Sequence, residues 1–448
     1  MSGEEPTATT TNGVAPEPSP PAEEAPLSVE PQKPEVVESE TKSPNHKELV
    51  RKEVLDVLNH LNIIKDNDFV AKADGTWVEA KCPARIDLYG GWTDTPPICY
   101  EMGGSVVNMG ILVDGVKPIS AKARFNKNHS MLKLLMIEKN GPERLIEVET
   151  MEDLLDFCDP STEGALLKAC VVACNIFDKS KPLKDQLLED YKAGLDIVSV
   201  THLPHGSGLG TSSILASALC AVIWGATGNL FDRKSLLLVV LAVEQLLTTG
   251  GGWQDQVGGV LGGINRGFSK PGPLLQVKFE PLPVEDGFVE LLEQHMVLLY
   301  TGKIRLAKNI LDVVVNRWFE HCPAMMDCFR KLHTGSMQMQ GAIKTRDLSR
   351  IAALFTEYWE LKKKLAENSE PTEVTQLIRV VEPFCVGYSL LGAGGGGFLC
   401  AITAMPDMHD EIRTELKRNS DFEKVTVHRI SLDTHGLQLY RGNTIIHI

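Results

Sequence analysis

The chain has 448 residues, 43% of them apolar, which is enough to build cores for more than one packed unit. Acidic residues outnumber basic ones by 59 to 45, a formal charge of -14 that excludes a sequence-independent grip on nucleic acid through clustered Lys and Arg. Ten cysteines lie scattered among apolar neighbours with no CxxC pair, the pattern of reduced thiols and not of a zinc site or a disulfide frame.

The first 30 residues hold no apolar core of the signal-peptide kind, and no apolar run reaches the length of a membrane span. A cytoplasmic protein with no membrane partner is expected. Residues 1–44 contain nine prolines and no Phe, Tyr or Trp, so they read as a disordered tail. Residues 45–75 read as a helical extension, because Asn45 precedes Glu48 like a capping box and Leu49, Val50, Leu55, Leu58 and Leu61 follow at helical spacing.

From Thr76 the pattern mixes strands and helices. Strands are expected from Trp77 to Pro83, over Ser105–Val113 and over Asp196–Val200; helices follow over Ser213–Trp224 and from the Asp232 cap to about Leu247. Pro271-Gly-Pro273 and the segment Pro281–Gly287 mark a boundary between a lobe over 76–280 and another over 281–448. In the second lobe Met296–Tyr300 reads as a strand, Arg305–Phe319 and Ala324–Glu367 as mainly helical, and Phe398–Thr403, Lys424–Ile430 and Leu437–Tyr440 as strands. The fold class is α+β with two lobes.

Four segments carry chemistry. Pro204-His-Gly206-Ser207-Gly208-Leu209-Gly210-Thr211-Ser212-Ser213 alternates glycines with small residues and opens an apolar helix, a pattern that turns backbone N–H groups and the positive helix end toward phosphate. The G-x-G-x-G spacing is neither the dinucleotide fingerprint nor a Walker loop, which leaves a nucleoside triphosphate cradle or a plain structural turn. Cys82 to Pro97 holds Arg85, suited to a phosphoryl charge, and the turn Gly91-Trp92-Thr93-Asp94, whose carboxylate suits two polyol hydroxyls. Taken singly, Arg85 also suits a surface ion pair and Asp94 a turn. Thr248 to Gly259 sets Asp255 among small and apolar residues, fit to take a proton or hold a hydroxyl, and Glu244 upstream is fit to serve Mg²⁺. Leu390 to Phe398 contains four consecutive glycines, including Gly394 and Gly395, and reads as a second backbone wall beside the first loop.

Together these segments resemble the three ordered motifs of the GHMP kinases, over roughly Thr76 to Ile448: Pro83–Asp94, Pro204–Ser213 and Leu391–Gly397. Within that superfamily Asp87 to Glu101 and Val113 to Ile119 are most similar to the L-fucokinases, and Gly252-Trp-Gln-Asp-Gln256 is shared with bacterial heptose-phosphate kinases. The resemblance implies a nucleotide-binding N-terminal lobe, a ferredoxin-like C-terminal lobe, and ATP with Mg²⁺. It implies phosphoryl transfer to a sugar's anomeric hydroxyl, with L-fucose the expected sugar. By position Asp255 is then the base and Arg85 the stabiliser of phosphoryl charge. Residues 204 and 206–213 hold ATP, Ser212 and Glu244 hold Mg²⁺, and Gly91, Trp92, Thr93, Asp94, Gly394 and Gly395 face the sugar with Asp255. Many fucokinases also carry a pyrophosphorylase-like region, which this sequence lacks, so it is not expected to make GDP-fucose. A heptose-phosphate kinase and a non-catalytic sugar and ATP sensor are the alternative readings.

Overall fold

The apolar run after the first glycine loop becomes the helix Thr211–Thr227, 14 of whose 17 residues are buried. A helix apolar on every face must be covered on every face. This one contacts three central strands of one sheet as well as the helices Ala165–Ala173, Arg233–Leu246 and Gln254–Leu261. It ends where Gly228 takes the left-handed conformation and returns its N–H to the Trp224 carbonyl, a C-terminal cap that suits glycine.

The structure, a computed structural model, describes residues 48, 51–65, 75–139, 141–159, 162–272, 275–303 and 307–447. The tail expected over 1–44 and the Asn45 cap lie outside the described residues. Residues 45–448 form one unit, which among the described residues holds two large sheets and a two-stranded ribbon.

Strands are numbered β1–β17 along the chain. One sheet runs β17 (Thr444–Ile446), β16 (Gln438–Arg441), β2 (Val78–Cys82), β5 (Ile119–Asn126), β8 (Gly194–Thr201), β6 (Leu132–Glu138), β7 (Arg144–Val148). Among the described residues its one parallel contact is β6 with β8. The other sheet runs β11 (Val277–Pro281), β10 (Ile264–Ser269), β4 (Ser105–Val113), β15 (Thr426–Leu432), β12 (Met296–Tyr300), β14 (Phe398–Thr403), β13 (Cys385–Leu390), and β3 (Ala84–Tyr89) also pairs with β4. A separate small ribbon joins β1 (Ile63–Lys65) to β9 (Asn229–Phe231). The long strand β4 hands its successive residues to β10 and then to β15, so strands from before and after residue 281 share one sheet.

The α+β class read from the sequence is the class observed, and the strands Ser105–Val113, Met296–Tyr300 and Phe398–Thr403 fall where the residue pattern puts them. The helical stretch expected over Ala324–Glu367 divides into Pro323–Lys344 and Leu348–Leu365, because Arg346 is left-handed and Asp347 caps the second helix by accepting from the Arg350 amide. A second, smaller core gathers Val297, Leu299, Val374, Leu377, Ile412 and Phe422 behind β12 and β14. All ten cysteines are free thiols, most of them buried.

The helix Arg233–Leu246 holds Glu244 in its last turn, and its start is fixed by Asp232, which accepts from the Ser235 amide at 2.7 Å and from Asn62 at 3.1 Å. Asp232→Ala is expected to cost about 1 kcal/mol of stability. Urea unfolding measures it, and an unchanged midpoint would mean the cap contributes nothing.

Candidate active site

The first glycine loop leaves β8 and closes on itself before the helix begins. The Ser207 hydroxyl accepts from the Leu209 amide at 3.2 Å and pairs with the Thr211 hydroxyl at 2.7 Å. The first intrahelical bond runs from the Ile214 amide to Gly210, so the amides of Thr211, Ser212 and Ser213 precede the helical ladder, as anion-binding helix ends require.

The second glycine loop lies against the first, backbone to backbone. The Phe398 amide donates to the Ser207 carbonyl at 2.8 Å. Gly208 has φ +76°, and a Cβ there would stand 2.5 Å from the Leu391 carbonyl oxygen; one on Gly397 would stand 2.4 Å from that of Ser207. Contact this close admits no side chain at either of these two positions. Gly394 and Gly395 sit farther along, where the Gly395 amide donates to Ser369 at 2.6 Å.

Beneath the first loop lies an ion pair. Arg85 on β3 is 2% exposed and donates from Nε and Nη2 to Oδ1 of Asp255, at 2.8 and 2.6 Å, and from Nη1 to the Gly208 carbonyl at 2.7 Å. Asp255 stands in the first turn of the helix Gln254–Leu261 and keeps 22% of its side chain exposed. Burial pulls the Arg85 guanidinium down, yet Asp255 and Asp87 outweigh it and hold it firmly protonated. A Cβ on Gly210 would lie 3.1 Å from the Asp255 Cβ, so the phosphate-type loop and the carboxylate are neighbours.

The turn after β3 supplies the rest. Asp94 accepts the Gln254 amide on Oδ2 at 3.0 Å, and burial pushes its carboxyl up to about 7, with Asp255 and Asp87 adding to the shift and the Gln254 amide opposing it. The Thr93 hydroxyl is engaged within the turn, donating to the Gly90 carbonyl at 2.7 Å. Trp92 is buried with φ +76°, and Gly91 lies against Tyr358 and Asp87. Three buried acceptors gather here without a donor among the described residues: Asp87 Oδ1, Asp94 Oδ1 and Gln254 Oε1. Buried acceptors without donors are costly, and a ligand rich in hydroxyls would satisfy them.

Glu244 is buried beside the helix start, accepting the Ser213 hydroxyl at 2.7 Å and the Thr249 hydroxyl; burial raises its carboxyl, and those two hydroxyls oppose the rise. Ser212, paired with Glu244 in the sequence reading, is exposed on the same turn, and Ser213 is the hydroxyl that meets the carboxylate. One carboxylate flanked by hydroxyls at a phosphate-type loop fits Mg²⁺, which takes few protein oxygens and shares phosphates and water. Sequence reasoning did not single out Asp87 for a role, named Ser213 for ATP and not for Glu244, and missed Thr249, Gln254, Tyr358 and Lys362. The one available signal for the last two is their spacing of four on a helix.

A family model described as the GHMP kinases N terminal domain matches residues 172–263. The L-fucokinase/L-fucose-1-P guanylyltransferase of Bacteroides fragilis is 32% identical over 374 residues, 82% of this chain and 38% of that protein. The bifunctional fucokinase/GDP-fucose pyrophosphorylase of Arabidopsis thaliana is 30% identical over 365 residues, covering 81% of this chain and 33% of that one. The chain thus spans little more than a third of these relatives. Among solved structures, a D-glycero-D-manno-heptose 1-phosphate kinase from Bacteroides thetaiotaomicron shares the fold with a TM-score of 0.58 and 18% identity, over 83% of this chain and 100% of that one.

The loop contact predicts its own failure. Gly208→Ala is expected to cost about 1 to 3 kcal/mol, since it forces a left-handed alanine against Leu391. Thermal unfolding measures it, and an unshifted midpoint would contradict the packing of the two loops.

Proposed function

This chain belongs to the GHMP kinases, and from that premise we propose that it transfers the γ-phosphoryl group of ATP to the anomeric hydroxyl of a hexose, L-fucose before others. The observation that carries the reading is the Arg85–Asp255 pair, set between the first glycine loop and a pocket edge of unpaired acceptors. A sugar brings several donors to those acceptors and one hydroxyl to the carboxylate.

In this reading Arg85 occupies Oδ1 of Asp255, so Oδ2 receives the proton of the attacking hydroxyl. The sugar oxygen then bonds to the γ-phosphorus as the bond to the ADP oxygen breaks. Arg85 keeps Asp255 ionised and offsets the charge that spreads over the phosphoryl oxygens. The amides of Gly206–Ser213 hold the phosphates. Ser212 and Glu244 hold Mg²⁺, with Ser213 fixing the Glu244 carboxylate; the ion, when bound, neutralises phosphate charge. Asp94 and the Gly91–Thr93 turn receive the sugar, and Gly394 and Gly395 close the far side.

The names of the two relatives favour L-fucose. A heptose phosphate would bring a second phosphate in need of a cation. Among the described residues, both buried cations near the turn are already engaged, Arg85 by Asp255 and Lys362 by Asp87. That engagement favours an unphosphorylated sugar.

Asp255→Asn is expected to lower kcat by about 10² to 10⁴ while ATP affinity stays within about twofold. A coupled assay over L-fucose, D-arabinose, D-galactose and heptose phosphates measures it, and undiminished turnover in the variant would remove Asp255 as base. Asp94 ionises as pH rises through about 7, which turns both of its oxygens into acceptors. The KM for sugar should therefore fall between pH 6 and 8 in the wild type and stay level in Asp94→Asn. A wild-type KM that rises over that range would contradict this role.

A further inference from the structure

Lys362 is 1% exposed, in the last turn of the helix Leu348–Leu365, a burial that an ammonium group tolerates only when paired. Its Nζ stands 3.6 Å from Asp87 Oδ2 and donates to the Gly392 carbonyl, at the start of the second glycine loop. It also lies over two aromatic faces, 4.6 Å from the Tyr358 ring centre and 5.3 Å from that of Trp92. Tyr358, one turn earlier on the same helix, donates its hydroxyl to the same Asp87 oxygen at 2.5 Å.

These contacts close a ring. Asp87 and Arg85 lie two residues apart on β3, and so share a face of it. Arg85 grips the Gly208 carbonyl, Gly208 lies against Gly392, and Lys362 leads from Gly392 back to Asp87. The sugar-side turn rests on the same ring: a Cβ on Gly91 would stand 2.4 Å from the Tyr358 hydroxyl and 2.6 Å from Asp87 Oδ2. Trp92, left-handed and beneath the ammonium, is the strained member of that turn, and the cation over its ring helps to fix it.

We propose that Lys362 is a positioning residue that couples the sugar-side turn to the second glycine loop, so that both substrates meet a single arrangement of Arg85 and Asp255. The proposal rests on the kinase reading above. Lys362 acts through charge. A neutral side chain of equal length would fill the space but would release both Asp87 and the Gly392 carbonyl.

The charge is held near its limit. Burial pushes the Lys362 amine down to about 8, Arg85 pushes the same way, and Asp87 and Asp94 oppose them. The groups that face it are Asp87 and Arg85 from β3, Asp94 from the turn and Tyr358 from its own helix. As pH rises through 8 the ammonium loses its proton, and the ion pair to Asp87 that closes the ring is lost with it.

The test is steady-state kinetics of the full chain with ATP and L-fucose from pH 6.5 to 9.5, in the wild type, Tyr358→Phe, Lys362→Met and Lys362→Arg. Lys362→Met is expected to raise the KM of both ATP and sugar about fivefold or more, to lower kcat about tenfold, and to abolish an alkaline decline centred near pH 8. Tyr358→Phe, which touches Asp87 but not Gly392, should raise the sugar KM alone. Lys362→Arg keeps its charge and should move the decline beyond pH 9.5, which decides the matter if the Met variant fails to fold. An active wild type whose decline stays near pH 8 in both Lys362 variants, or whose two KM values stay within twofold in Lys362→Met, overturns this proposal alone. A wild type inactive on every sugar in the panel overturns the kinase reading and this proposal with it.

Discussion

A buried arginine requires an anion, and Arg85 finds one in Asp255, 170 residues away along the chain. Removing one member of such a pair leaves an unpaired charge inside the protein, at a cost of about 3 to 5 kcal/mol. The contact therefore fixes where β3, the first glycine loop and the helix Gln254–Leu261 stand. Arg85 turns its remaining nitrogen, Nη1, to the Gly208 carbonyl, which sets the height of the loop above the carboxylate. Everything assigned to the site is measured from this pair: a phosphate-type loop above it, a turn with unpaired acceptors beside it, and Glu244 at the helix start.

Glycine does the complementary work. The two loops approach until carbonyl oxygens lie where Cβ atoms would stand, so their backbone groups form one surface. Such a surface binds anions with little bulk and little reorganisation, which is what transfer of a charged group requires. The helix behind it is apolar on all sides and locked in the main core, so the loop sits on a rigid support.

Much of this was legible in the sequence, and the limits have physical causes. Arg85, Asp94 and Asp255 stand near glycines and Glu244 in an apolar helix, and it is their combination with the glycine loops, not any one of them, that points to a site. Strands β4, β12 and β14 are apolar nearly throughout and show as runs. Strand β5, Ile-Ser-Ala-Lys-Ala-Arg-Phe-Asn, does not show in the residue pattern, because Lys and Arg at its half-buried positions obscure the alternation that its buried Ile119, Ala121, Ala123 and Phe125 follow. Ser212 and Ser213 are adjacent hydroxyls, and the helical turn alone decides which one meets Glu244. Lys362 sits in a run of three lysines, where only the register set by Tyr358 and Leu365 says which is buried. The contact of the two glycine loops joins residues nearly 190 positions apart, and no local pattern encodes it.

The central claim is that Asp255 and Arg85 direct a phosphoryl group onto the anomeric oxygen of a sugar. Phosphorus NMR of the wild-type protein with ATP, Mg²⁺ and L-fucose labelled with ¹³C at C1 tests it in one spectrum. The account predicts a sugar-phosphate signal split by coupling to the labelled carbon, growing as ADP appears. A phosphate ester without that coupling, or ADP with inorganic phosphate alone, would contradict it.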